Sequence, residues 1–129
     1  MRISDSLQDS ESFFYAELKR LKAIMEELQG GKKTFVILDE ILRGTNSNDK
    51  HNGTIGLINK LVAAKATGII ATHDLTVSNL KQVYAGYIGN QCFESEIIND
   101  ELVFDYKLKP GVCERLSSSF LMKKMGVID

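Results

Sequence analysis

Thr34-Phe35-Val36-Ile37-Leu38-Asp39-Glu40 is the stretch on which the reading of the chain turns. Thr34 to Leu38 lacks the apolar/polar alternation of a half-buried strand, and so reads as a strand covered on both faces, the habit of parallel sheets between helices. It delivers two adjacent carboxylates at its C-terminal end, the edge at which parallel α/β sheets bind ligands. Alone, an apolar run ending in Asp-Glu says little, because strand ends meet solvent and acidic residues are common there.

The flanks supply the context. Upstream, Phe14, Leu18, Leu21, Met25 and Leu28 recur at helical spacing with charged residues between them, predicting a helix of about four turns. Gly30-Gly31 ends it. Downstream, a polar loop over 43–52 precedes a second helix in which Ile55, Ile58, Leu61 and Val62 share a face. Gly68 to Thr72 is another short apolar run, and Leu75 to Val83 returns to helical spacing. Strand, helix, strand, helix implies an α/β fold: a parallel sheet with flanking helices and right-handed crossovers. Beyond Tyr84 the period changes to two. Phe93, Ser95 and Ile97, then Leu102, Phe104 and Tyr106, face each other across Asn99-Asp100, predicting a C-terminal β-hairpin. Pro110-Gly111 closes it, and Ser117 to Met125 reads as a final short helix. No repeat or linker divides the chain, so residues 1–129 are expected to form one domain.

Composition narrows the classes. The 129 residues are 43% hydrophobic with a net charge of −1, and no dense Lys/Arg run offers a purely electrostatic grip on nucleic acid. No stretch reaches the ~18 apolar residues of a membrane span, and the opening residues are too polar for a secretory signal; no membrane association and a cytoplasmic location are expected. Cys92 and Cys113 are too far apart in sequence for a zinc-knuckle spacing and too few for a disulfide scaffold, so both read as ordinary thiols.

The chemistry gathers at the strand ends. In phosphoryl-transfer sites built on such an edge, a first carboxylate helps hold Mg²⁺ and a neighbouring group orients or deprotonates the attacking water. Asp39 takes the first role and Glu40 the second. The second apolar strand ends at Thr72-His73-Asp74, which puts His73 at the same edge, where an imidazole can donate to a γ-phosphate or hold the water.

At this point the sequence resembles the ATPase domain of the MutS family, within the ABC-type P-loop ATPases. Leu38-Asp39-Glu40-Ile41-Leu42-Arg43-Gly44-Thr45 is similar to that family's Walker B strand and Arg-Gly-Thr loop, where transporter-type relatives usually have proline or alanine in place of Ile41. Asn46 to Asp49 resembles the dimer-contacting D-loop, and Ala71-Thr72-His73 the switch-histidine motif. Ser4-Asp5-Ser6-Leu7, Ser12-Phe13-Phe14 and Glu17-Leu18 resemble the signature segment, with Ser12 at the position that reaches nucleotide bound by the other subunit. The resemblance implies ATP and Mg²⁺ as cofactors, Glu40 and His73 as catalytic residues, and Asp39, Ser12 and Asp49 as nucleotide or metal contacts. It further implies a homodimer through the ATPase domain, and DNA held by domains absent from this chain. Ser12 also suits a helix N-cap, and the two roles are compatible.

Departures from the family pattern accompany the matches. No Gly-x-x-x-x-Gly-Lys-Ser/Thr loop occurs in the 129 residues, so the phosphate-cradling P-loop is expected upstream of this chain. Leu42 stands where the family usually has a small residue. Lys50-His51-Asn52-Gly53 stretches a point where Asp is usually followed at once by Gly, and the segment after the hairpin reads Cys113-Glu114-Arg115-Leu116-Ser117-Ser118. These suggest a divergent MutS-like branch. His51 reads as an exposed helix-start residue. Tyr84, Tyr87, Phe93, Phe104 and Tyr106 read as core and hairpin packing rather than as a base-stacking platform. A non-catalytic ATPase-like docking or dimerisation module is the alternative function. The retained Asp39, Glu40 and His73 weigh against it. The strand at Thr34–Leu38 is expected to expose an edge and to favour self-association.

Overall fold

The computed structural model describes residues 3–113 and 117–129, so Glu114 to Leu116 of the altered segment lie outside the described residues. The chain divides into two units, Met1–Val77 and Ser78–Asp129.

The first unit contains helix α1 (Ile3–Gln29), strand β1 (Phe35–Asp39), helix α2 (Ser47–Ala63) and strand β2 (Thr67–Ala71), followed by a 3₁₀ turn that begins at Leu75. The strands pair in parallel, from Phe35 opposite Thr67 to Asp39 opposite Ala71. The expected β-helix-β order is therefore present, in a two-stranded sheet among the described residues. Gly68 is needed at its place in the ladder: a Cβ there would sit 2.2 Å from the Val36 carbonyl oxygen.

One face of this sheet carries the core. Val36 and Leu38 of β1, Ile41 and Leu42 beyond it and Leu61 of α2 form the buried cluster, with Phe14, Leu21, Ile24, Met25 and Leu28 of α1 packed against it. The other face differs from expectation. Phe35, Ile37 and Ile69 are exposed, so β1 is buried on one side only, because α1 and α2 both pack on the Val36–Leu38 side. Among the described residues β1 has β2 as its one strand partner, which leaves the open edge anticipated from the sequence.

α1 is much longer than the four turns expected, and ends where foreseen. Lys32 N donates to Glu27 O and Gly31 N to Leu28 O, both at 3.2 Å, with Gly31 at φ 82°: a Schellman cap. The expected loop over 43–52 is shorter, because α2 already starts at Ser47. Asn46 Oδ1 accepts from Asp49 N at 2.9 Å, and Asp49 places an acidic side chain in the first turn, so this tetrapeptide is a helix start.

The helix expected over Leu75–Val83 divides into a 3₁₀ turn, Leu75–Asn79, and one α-turn, α3 (Leu80–Val83). In the second unit β4 (Ser95–Ile98) and β5 (Glu101–Phe104) form the predicted hairpin about Asn99-Asp100, whose φ values of 52° and 62° suit a type I′ turn. β3 (Gln91–Cys92) pairs antiparallel with β6 (Lys109–Pro110), and α4 (Ser117–Lys124) follows. The aromatic side chains are less covered than expected. Tyr87, Phe93, Phe104 and Tyr106 are exposed, since the buried positions among the unit's described residues are Leu80 and Ser95 alone. Alternation makes the hairpin without supplying a second layer to bury it. Among the described residues no helix is long and apolar enough to cross a membrane.

Candidate functional site

The parallel ladder does not stop at Asp39. Glu40 N donates to Ala71 O at 3.0 Å, one step past the last paired residues, and Glu40 then turns into the left-handed region at φ 52°. Leu42 does the same at φ 62°. Two non-glycine residues in this region within three positions mark a backbone held by its surroundings, a feature that concentrates at functional sites.

What holds it is specific. The Leu42 N–H donates to Glu17 Oε1 of α1, and the buried Leu42 side chain meets Gly53 of α2 so closely that a Cβ at Gly53 would lie 2.6 Å from Leu42 Cδ1. The departure noted at Leu42 thus fits against Gly53, the last residue of the stretched 50–53 segment: the larger side chain occupies the space that glycine leaves.

The strand-end groups meet as the sequence suggested. His73 Nε2 lies 3.0 Å from Glu40 Oε1, and Arg43 Nη2 lies 3.8 Å from Glu40 Oε2. The Glu40 side chain is 18% exposed and that of His73 93% exposed, so a sheltered carboxylate is paired with an imidazole standing in solvent. Such a pair is worth at most about 1 kcal/mol, and His73 can leave Glu40 for another acceptor at little cost. Asp39 ends β1 with its side chain exposed at the same edge.

The other expected residues sit apart. Ser12 is exposed well inside α1, so its N-cap role falls away: the helix begins at Ile3, nine residues earlier. Asp49 is exposed in the first turn of α2, its Oδ2 accepting from Asn46 Nδ2 at 3.0 Å. It lines a cleft of about 530 Å³ between α1 and α2, together with Phe14, Met25, Leu42 and Leu57. No hydrogen bond or ion pair among the described residues links Ser12 or Asp49 to Glu40 or His73.

Beside the site lies a cluster that sequence reasoning missed. His51 is a half-exposed member of α2 rather than a free helix-start residue: its Nδ1 lies 2.6 Å from Asp74 Oδ2 and 3.0 Å from Thr76 Oγ1. Asp74 Oδ1 accepts from the Thr76 hydroxyl at 2.5 Å and from Thr76 N at 3.0 Å. The Thr76 hydroxyl foremost, with His51 and Thr76 N adding to it, holds the Asp74 carboxyl below its ordinary pKa against a smaller opposing effect of burial. His73 thus reaches Glu40 while its neighbour Asp74 is anchored to α2. The signal available in sequence was the order His-Asp-Leu-Thr, an Asp followed two residues later by Thr, which favours a local side-chain turn. Arg43 and Glu17 also carry contacts at the site that no spacing argument singled out.

Comparison with known proteins places most of the chain beside DNA mismatch repair proteins. The chain is 34% identical over 109 residues to the DNA mismatch repair protein MutS of Ehrlichia chaffeensis, covering 84% of this chain and 13% of that protein. It is 26% identical over 116 residues to mouse MutS protein homolog 4, covering 85% of this chain and 12% of the relative. With the Arabidopsis thaliana DNA mismatch repair protein MSH3 it shares 27% identity over 124 residues, 89% of this chain and 11% of the relative. It spans about an eighth of the length of these proteins. The family model for MutS domain V matches residues 1–126, and the chain accordingly belongs to the MutS domain V family.

Proposed function

We propose that this chain is the hydrolytic part of an ATPase module in a MutS-like DNA repair protein. Glu40 is the general base that takes a proton from the attacking water, and His73 orients that water or donates to the γ-phosphate. The observation that carries the reading is the 3.0 Å contact between Glu40 and His73, side chains from two different strand ends meeting at the ligand-binding edge of a parallel sheet. The exposure of His73 supports it further, because an imidazole that solvent can reach can also turn to a substrate.

Asp39 offers an exposed carboxylate one residue before the base, and a hard oxygen ligand suits Mg²⁺, which commonly keeps several waters and takes one or two protein carboxylates. A bound Mg²⁺ ion would neutralise charge on the phosphate oxygens. Arg43, 3.8 Å from the far oxygen of Glu40, limits where that carboxylate swings. Ser12 and Asp49, both exposed and outside the Glu40–His73 pair, fit contacts made across a dimer to nucleotide held by a second subunit. The P-loop would come from residues other than these 129, and DNA would be held by other domains. On this reading the chain alone does not bind ATP tightly.

The test is ATP hydrolysis by the polypeptide that contains this domain, with and without duplex DNA, beside its Glu40→Gln variant. Activity that responds to DNA and is lost in the variant supports the proposal. Activity indifferent to the change would make the Asp-Glu pair a relic and the domain a docking or dimerisation module.

A further inference from the structure

Two thiols that sequence spacing separates by 20 residues are neighbours in the fold. β3 pairs with β6, setting Cys92 opposite Lys109, and Gly111 N donates to Asn90 O at 2.9 Å. The chain leaving β6 passes back over β3, and Cys113 Sγ donates to Phe93 O at 3.3 Å. Glu94, two residues beyond Cys92, joins them. The sulfurs of Cys92 and Cys113 and a carboxylate oxygen of Glu94 all lie within 4.8 Å of one another, and all three residues are partly buried. Backbone pairing in β3 and β6, not a metal, creates this proximity.

We propose that Cys92, Glu94 and Cys113 form a site for a borderline-soft divalent cation such as Zn²⁺, with water as the fourth ligand. Two thiolates and one carboxylate match the donor preference of zinc and disfavour Mg²⁺ or Ca²⁺, which take oxygen ligands. Tetrahedral Zn–S bonds of about 2.3 Å place two sulfurs about 3.8 Å apart, so the described cluster needs a contraction of at most about 1 Å. Binding converts both thiols to thiolates, and two protons leave to solvent. Lys109, paired with Asp105 at 2.9 Å and in the field of Glu94 and Glu96, offsets the remaining negative charge.

The test titrates Co²⁺, then Zn²⁺, into the reduced 129-residue chain. One Co²⁺ per chain is expected, with thiolate-to-cobalt charge-transfer absorption that Zn²⁺ bleaches. Loss of an outer-shell partner alone costs 10- to 100-fold in affinity, so Cys92→Ser or Cys113→Ser should cost about 100-fold or more, and Glu94→Gln about tenfold. A second measurement needs no variant: excess Zn²⁺ should slow alkylation of both thiols in the wild-type chain. Absence of the charge-transfer band, a band that survives Cys113→Ser, or thiols alkylated at the metal-free rate would overturn the site. So would an intact mass two hydrogens lighter in the presence of reductant and excess metal, since that makes the pair a disulfide.

Discussion

The first unit holds two imidazole–carboxylate pairs that use neighbouring residues of one segment and differ in almost everything else. His73 meets Glu40 with 93% of the imidazole in solvent; Asp74 meets His51 with 27% and 38% of the side chains exposed. The first pair has a sheltered carboxylate and a partner standing in solvent. The second has a carboxylate held by three contacts, two from Thr76 and one from His51, and an Asp74 N to Thr72 Oγ1 turn bond fixes the backbone beside it. Equal chemistry in unequal burial gives unequal constraint: the anchored pair ties the segment after β2 to α2, and the exposed pair stays open to solvent on its imidazole side. The division holds only if each pair fails differently when broken.

The largest effect is expected at Glu40. Glu40→Gln keeps the shape and the Ala71 backbone bond but cannot accept a proton, so hydrolysis by the polypeptide containing this domain should fall by about 10²–10⁴, the range for a lost general base. Its thermal midpoint should stay near that of the wild type. A midpoint that falls with the rate would erase the contrast, since Glu40 would then be structural like Asp74.

Breaking the anchored pair should do the reverse. Asp74→Ala removes charge-assisted hydrogen bonds to Thr76 and His51. With a quarter of the side chain open to water, the cost belongs near the low end for such bonds, about 1 kcal/mol, or roughly 4 °C in thermal midpoint. Differential scanning calorimetry checks this, and an unchanged midpoint would show that α2 needs no anchor at His51.

How much of this was legible beforehand follows from where each signal lies. Asp39, Glu40 and His73 were readable because a strand end is a local feature, and two such ends in a β-helix-β order must meet at one edge. The His51–Asp74 pair was not, because its partners stand 23 residues apart on different elements with no shared periodicity. The apolar run of β1 suggested two covered faces, yet composition cannot say which helices arrive to cover them; Phe35 and Ile37 stay exposed. Leu42 and the stretched segment ending at Gly53 looked like separate oddities in sequence, and met in one contact only when α2 was laid against the loop. Ser12 was placed at a helix start because apolar periodicity begins at Phe14, whereas backbone helicity runs on through the polar residues before it.

Acid separates the pairs by a different route. The Asp74 carboxyl has a folded pKa below its unfolded value, so its contribution is complete above about pH 4 and is lost as the pH falls through the folded pKa. Asp105, held down by Lys109, behaves in the same direction, so the useful quantity is a difference. Thermal midpoints of the wild type and Asp74→Asn should lie apart at pH 6 and converge as the pH drops toward 3. Parallel curves would mean that the carboxylate's charge plays no part in the anchor.

The smallest effect is the most discriminating. His73→Ala removes a contact of comparable length to those of the anchored pair, and counting contacts alone would forecast a comparable loss of stability. Exposure argues otherwise: an imidazole in solvent gains little on meeting a carboxylate, because water already serves the imidazole and the ordered side chain loses rotamer freedom. The expected change in unfolding free energy is below about 0.5 kcal/mol by urea denaturation, within the range of surface substitutions. Hydrolysis by the polypeptide containing this domain should nonetheless drop about 10²-fold, the lower bound for lost proton handling. A stability loss near that of Asp74→Ala would show that His73 is a second anchor. A change in neither quantity would leave Glu40 to act without it, and the edge of the sheet would then have one working residue in place of two.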